Sequence, residues 1–319
     1  GEAFRTGSHK AIILDYLDST AKAASSTQVI GRTRSLSKFT SATAAILAGL
    51  VLFWLRDYEL LFFLSAAASV GGFLLMLSYP RELERSRQRE HGRQTSTEDQ
   101  PAQHRLHQLG RHRRFWALIV QSVLFESQVK IVLKYYLQPF LKTGLGLYGI
   151  AIAAPKTVSG IAGSGAVWVG LNEFVRDSLG GLGARMSPRF ETMVGNRTAG
   201  LNRISLGGLA IVLGVALCSL DLRKGLVPGL LLLVGLTILQ NLRRPMFVSA
   251  FNEVMESSRR ATALSLESVA RAVTVAALLP LFGLAADAFG LTSVWILSAG
   301  ILLVGFLLHP NPRRAVDGT

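Results

Sequence analysis

The sequence predicts an all-α membrane protein, a polytopic helical bundle of about eight complete transmembrane helices plus one partial helix. Three observations predict it. Half of the 319 residues are hydrophobic and only 17% are charged, against roughly a quarter charged in a soluble domain. The apolar residues gather into runs that match the roughly 20 residues, with about 17 as the lower limit, that a helix needs to cross a bilayer core. The basic residues lie between the runs, concentrated on alternate connections.

The complete runs cover residues 39–55, 60–79, 115–140, 148–169, 204–220, 227–242, 261–285 and 291–308. The sixth is short and is expected to continue through its polar end at 240–244. Residues 1–17 read as the second half of a further span, with Ala3, Phe4, Ala11, Ile12, Ile13 and Leu14 mixed with charge. The chain opens at Gly1 inside that stretch, so an N-terminal truncation is expected. Connections 56–59 and 287–290 are turn-length and imply antiparallel neighbours. Connections 18–38, 80–114, 171–203 and 243–260 are long and basic and read as loops. Segment 80–114, rich in Arg, Gln, His and Glu, cannot bury a core and reads as a solvated linker.

The formal net charge is +14. A basic chain can bind nucleic acid, but here membrane topology accounts for the excess. The long connections, with 1–38 taken whole, and the C-terminal tail carry 26 of the 34 Lys and Arg residues, whereas Arg56, Lys142, Arg223 and Lys224 are the 4 on short connections. Positive residues stay inside, so the long connections, the linker and the C-terminus are expected in the cytoplasm, and no nucleic-acid partner is expected. The single cysteine, Cys218, excludes an intrachain disulfide.

Charge inside the spans carries the functional signal. Ser122, Glu126, Lys130, Lys134 and Gln138 recur at every fourth residue, which on a helix makes one slowly winding stripe. Lys156 follows Pro155 in the fourth run, and Glu267 and Arg271 stand four apart in the seventh. Glu2, Arg5 and His9 share a face of the partial helix. A mid-bilayer charge costs about 2.5–3.5 kcal/mol on insertion scales, so such residues face a cavity or one another. Two readings follow. Glu126–Lys130 and Glu267–Arg271 are structural ion pairs with Lys134 snorkelling outward, or Glu126, Lys130, Lys134, Lys156, Glu267, Arg271, Arg5 and His9 line a solute or ion pathway. In the second, Glu126 and Glu267 are candidate proton carriers, because desolvation opposes carboxylate ionisation. Lys130, Lys134, Lys156 and Arg271 outnumber Glu126 and Glu267, which favours an anionic solute over a cationic one.

Other motifs take structural readings. Gly144-Leu-Gly146-Leu-Tyr-Gly149 has the form of a dinucleotide fingerprint but follows a span, with no strand before it. His104, His107 and His112 lie in the linker without cysteine or a carboxylate set, so no metal is expected. Asn196-Arg-Thr198 is a glycosylation sequon in form, on a connection placed in the cytoplasm. Ser159, Gly160, Gly163, Ser164 and Gly165 form a small-residue packing surface. No Gly-x-x-x-x-Gly-Lys-Ser/Thr, His-Glu-x-x-His or Gly-x-Ser-x-Gly occurs, so neither ATP-driven pumping nor enzyme chemistry is expected, and no cofactor.

Several stretches resemble the major facilitator superfamily of secondary transporters. Residues 1–17 (GEAFRTGSHKAIILDYL) resemble the fourth helix of a bacterial branch, 135–142 (YYLQPFLK) the outer end of the seventh, and 260–265 (RATALS) the start of the eleventh. The resemblance implies that 1–79 are the remainder of an N-terminal bundle, holding part of helix four with helices five and six. It makes 80–114 a cytoplasmic linker and 115–319 a C-terminal six-helix bundle, with helices one to three missing. It implies secondary active transport of a small polar solute by alternating access in a bacterial inner membrane, with protons as the candidate coupling ion and a monomer as the expected state. Two departures stand out. Pro188 occupies a glycine position in the Gly181-Leu-Gly-Ala-Arg185-Met-Ser-Pro188-Arg189 loop, and 39–55 lack the glycine–proline motif of drug–proton antiporters. Multidrug efflux and a non-transporting membrane scaffold or sensor are the alternatives.

Overall fold

A computed structural model describes residues 26–55, 59–77, 113–149, 165–254 and 260–308. Among the described residues the chain is an all-α bundle without strands. Its helices are α1 (Ser26–Leu55), α2 (Glu59–Leu77), α3 (Arg113–Lys130), a π-helical segment (Ile131–Tyr136), α4 (Leu137–Gly146), α5 (Gly165–Val194), α6 (Arg197–Leu220), α7 (Leu222–Val254), α8 (Arg260–Phe289) and α9 (Leu291–Leu307). The π segment joins α3 to α4, so 113–146 run as one long rod.

Five helical stretches are long and apolar enough to cross a bilayer: Ser26–Trp54, Phe115–Gly146, Arg197–Leu220, Leu222–Val254 and Thr262–Phe289. Glu59–Leu75 and Leu291–Leu307 are shorter apolar helices. By length and composition these helices suit an integral membrane protein. The exterior agrees, since Trp54, Phe62, Phe73, Leu217 and Leu284 are all exposed. A helix such as α2, apolar and exposed on nearly every face, belongs in lipid or against another apolar surface.

Apart from α5, the described helices sit where the apolar runs are, with corrections at their ends. Three stretches expected as loops are largely helical. Residues 26–38 belong to α1, 171–194 to α5 and 243–254 to α7. A hydropathy run ends where charge begins, but a helix continues when its charged turns find partners. Here Lys38 pairs with Asp177 at 2.8 Å, and Arg197 pairs with Glu191 and Glu253. Of the expected fourth span, Tyr148 and Gly149 form a turn, with Gly149 at φ 73°, and its remaining described part is the start of α5. The candidate fingerprint at 144–149 is therefore the C-terminus of α4 running into a turn, with no strand before it. The sequon asparagine also has a structural role, because the Asn196 side chain caps α6 by accepting from the Thr198 amide at 2.9 Å.

Polarity divides the bundle along its length. Helix α1 packs antiparallel on α5 through small residues. At Gly31 a Cβ would lie 2.6 Å from the Ala184 carbonyl oxygen, and at Gly170 one would lie 2.9 Å from the Ala45 carbonyl. Pro188, four residues beyond Ala184, has no N–H to give that carbonyl and crowds it, which turns it toward Gly31. Small residues are what bring helices this close within a membrane. The Gly31 end is closed by Ser26 and Thr27, which hydrogen-bond Ser249 of α7 at 2.8 and 2.7 Å. Phe115, Phe247 and Phe251 seal it from the α3 side, with ring centroids 5.5 and 5.6 Å apart.

Gly31→Val is expected to force α1 off α5 and destabilise the protein by about 1–3 kcal/mol, the range for overpacking. Gly72→Val, where nothing lies within 4 Å of a built Cβ, is the matched control. Thermal unfolding in detergent should show a lowered midpoint for the first and little change for the second.

Candidate functional site

A cavity of about 780 Å³ opens among α1, α3, the π segment, α4, α5, α7 and α8. The stripe read from sequence accounts for one wall, through Glu126, Lys130, Lys134 and Gln138. Arg271 and Ser268 of α8 face it, together with Gln240 and Thr237 of α7. The opposite wall was not anticipated: Lys38 of α1, with Glu173, Arg176 and Asp177 of α5. Five basic side chains thus line the cavity against three acidic ones. Lys134 and Gln138 are exposed, which marks the open end, while Glu126 is buried at the other.

The π segment explains why the stripe stays on one wall. In an α-helix, residues four apart drift around the axis by about 40° per step, which would carry Gln138 far from Glu126. A π-helix turns less per residue, so the segment from Ile131 to Tyr136 winds the stripe back. Pro139 follows directly and has no N–H to donate to the preceding turn, a local reason for the irregularity. The segment also presents the Leu133 carbonyl to Arg176 of α5, which donates to it at 3.1 Å.

Behind the cavity lies a cluster of buried charge. Glu267 is completely buried, and its two carboxylate oxygens accept from both terminal nitrogens of Arg244, each at 2.9 Å, while the Ser122 hydroxyl donates to it at 3.0 Å. This corrects the expected Glu267–Arg271 pair. Glu267 belongs to Arg244, and Arg271 approaches Glu126 at 4.0 Å instead. Glu267 accordingly stands behind the wall rather than on it. Glu126 accepts from Gln240 at 2.9 Å and lies 3.9 Å from Arg243. Arg34 of α1 donates to Asn241 at 2.8 Å.

Arg243 is the least comfortable group among the described residues. It is fully buried, and none of its three guanidinium nitrogens has a hydrogen-bond partner. Its guanidinium lies over Phe125 at 4.6 Å and over Phe247 at 5.5 Å. A desolvated cation–π contact contributes about 2 kcal/mol, whereas leaving a buried charged donor unsatisfied costs more than the ~1–3 kcal/mol of a neutral one. The aromatic rings therefore offset only part of the cost, and the nearby carboxylate of Glu126 is required.

The structure thus brings Glu126, Lys130, Lys134 and Arg271 to one cavity and sets Glu267 behind it. Lys156, Arg5, His9 and the linker histidines lie outside the described residues. The sequence reading missed Arg34, Lys38 and Arg176 because it placed them on connections, and Arg243 and Arg244 because it read them only as the polar end of the sixth run and the start of a connection. One signal was available: Arg243-Arg244-Pro245 is followed by Met246-Phe247-Val248, apolar residues that resume the run. Among the described residues no group of three or more His, Cys, Asp and Glu side chains could hold a metal ion. No family model and no curated protein matches the sequence.

Breaking the Arg244–Glu267 clasp should be costly. Glu267→Gln is expected to destabilise by about 3–5 kcal/mol, the range for removing one partner of a buried pair. The double change Arg244→Met with Glu267→Leu should recover most of that loss, as read from chemical denaturation in detergent.

Proposed function

We propose that this protein is a secondary active transporter of the major facilitator type that moves a small organic anion by alternating access, with protons as the coupling ion. The observation that carries the reading is the cavity. A space of about 780 Å³ with five cations and three acids on its walls lies within a bundle whose exterior is rich in exposed apolar side chains. Charge inside a membrane protein is costly and marks solute and ion paths. A scaffold or sensor has no need of it. The excess of cations raises the local concentration of anions and repels cationic drugs, which argues against multidrug efflux.

Two further observations support the reading. Alternating access needs one end closed while the other is open. Here the Ser26, Thr27 and Ser249 hydroxyls and the phenylalanine layer close one end, while Lys134 and Gln138 are exposed at the other. The resemblance of 135–142 and 260–265 to facilitator helices supports the reading, since Lys134, Gln138 and Arg271 of the cavity lie on the helices that carry those stretches. With the long basic connections in the cytoplasm, in a bacterial inner membrane, the open end faces outward.

The test is uptake into proteoliposomes of labelled succinate and glucose 6-phosphate, with tetraethylammonium as the cationic control. Anion uptake should exceed uptake of the cation, fall when a protonophore collapses an imposed pH gradient, and drop at least about tenfold in Arg271→Gln and Lys130→Gln, a loss worth about 1.4 kcal/mol of binding. Uptake of the cation alone, or equal anion uptake by parent and both variants, would refute the reading.

A further inference from the structure

Glu126 stands between two arginines of different character. On its cavity side is Arg271, partly exposed, with Nη1 4.0 Å from Glu126 Oε2 and no hydrogen bond among the described residues. On its core side is Arg243, with Nη1 3.9 Å from Glu126 Oε1, an oxygen that itself accepts no hydrogen bond. The carboxylate is 3% exposed and is tethered through Oε2 by Gln240 at 2.9 Å. Neither arginine is within hydrogen-bonding distance, since charge-assisted N–H···O contacts close at about 2.7–2.9 Å. The other buried arginines nearby have their own partners, Arg244 on Glu267 and Arg34 on Asn241.

We infer that Glu126 is a built-in competitor anion that shares Arg271 with the solute and moves onto Arg243 when the solute binds. The inference rests on the transport reading of the same cavity. An anionic group arriving from the cavity meets the guanidinium of Arg271, whose donors are uncommitted. Two carboxylates on one guanidinium repel strongly where water is scarce. Glu126 has an alternative within reach, because a shift of about 1 Å brings Oε1 to hydrogen-bonding distance of Arg243. In both arrangements each carboxylate faces a cation. Arg243, unsatisfied before binding, gains the hydrogen bond that it lacks. Arg243 is a positioning residue here, since it reaches the solute only through Glu126.

The inference gives opposite signs for two neighbouring substitutions. Succinate and inorganic phosphate binding would be measured on the detergent-purified protein by titration calorimetry. Arg271→Gln should abolish binding. Glu126→Gln, which removes the competitor, should tighten it about tenfold, and Arg243→Gln, which removes the place where the competitor goes, should weaken it about tenfold. The pair Glu126→Gln with Arg243→Gln should bind as tightly as Glu126→Gln alone, because Arg243 has no role once the competing charge is gone. A purely structural Arg243 would carry its loss into the double variant, and that result overturns the inference. So does unchanged or weaker binding by Glu126→Gln, an arm that decides the matter even where Arg243→Gln does not fold. Binding that disappears in Arg271→Gln but ignores Glu126 leaves the anion reading standing and sinks the competition alone. Failure of parent and Glu126→Gln alike to bind either anion removes both.

Discussion

Five consecutive residues on α7 hold the bundle together, and each reaches a different neighbour or a different atom of one. Gln240 donates to Glu126 of α3, Asn241 accepts from Arg34 of α1, and the Leu242 carbonyl accepts from Ser187 of α5. Arg243 lies against Phe125 and Glu126 of α3, and Arg244 clasps Glu267 of α8. Successive side chains leave a helix about 100° apart, so four polar side chains among five successive residues address most of the circumference. That requires a helix surrounded on all sides, which is where α7 sits. In an apolar bundle, generic hydrophobic packing does not select one set of neighbours, because lipid tails are as apolar as leucine. Directional polar contacts of this kind do.

The same constraint explains which parts of the molecule were legible in the sequence. Helix positions followed from apolar runs, because burial in lipid depends on composition over about 20 residues and little else. The stripe from Ser122 to Gln138 was legible because its spacing lies within one helix. Partnerships were not. Arg244 and Glu267 are 23 residues apart, Gln240 and Glu126 are 114 apart, and Arg34 and Asn241 are 207 apart, so no local pattern links them. Pairing Glu267 with Arg271 by proximity in sequence was wrong for a geometric reason. A spacing of four puts two side chains on one face but does not bring them together when a better-placed guanidinium approaches from another helix.

The placement of arginines on loops failed in the same way. Hydropathy treats each basic residue as a reason to leave the membrane. Yet Arg243 and Arg244 are among the most deeply buried side chains, because carboxylates and aromatic rings from α3, α7 and α8 surround them. The count that set orientation therefore included residues buried in the bundle. The margin of that count is smaller than the sequence alone implies.

The α1–α5 face combines close backbone contact with a charged wall. Where α1 meets α5, at Gly31 with Ala184 and again at Ala45 with Gly170, the backbones come so close that a Cβ on either glycine would meet a carbonyl oxygen. Between those two contacts the same helices carry Lys38, Glu173, Arg176 and Asp177, whose charged side chains line the cavity. Lys38 and Asp177 satisfy each other at 2.8 Å, and Arg176 reaches Glu173, so the wall is neutralised locally without closing the space in front of it. Glu126 and Arg271, by contrast, stop 4.0 Å apart. The wall formed by α1 and α5 is settled by close contacts, and the one formed by α3 and α8 is left able to rearrange. Arg271 stands on that second wall, beside Glu126 and without a hydrogen bond among the described residues.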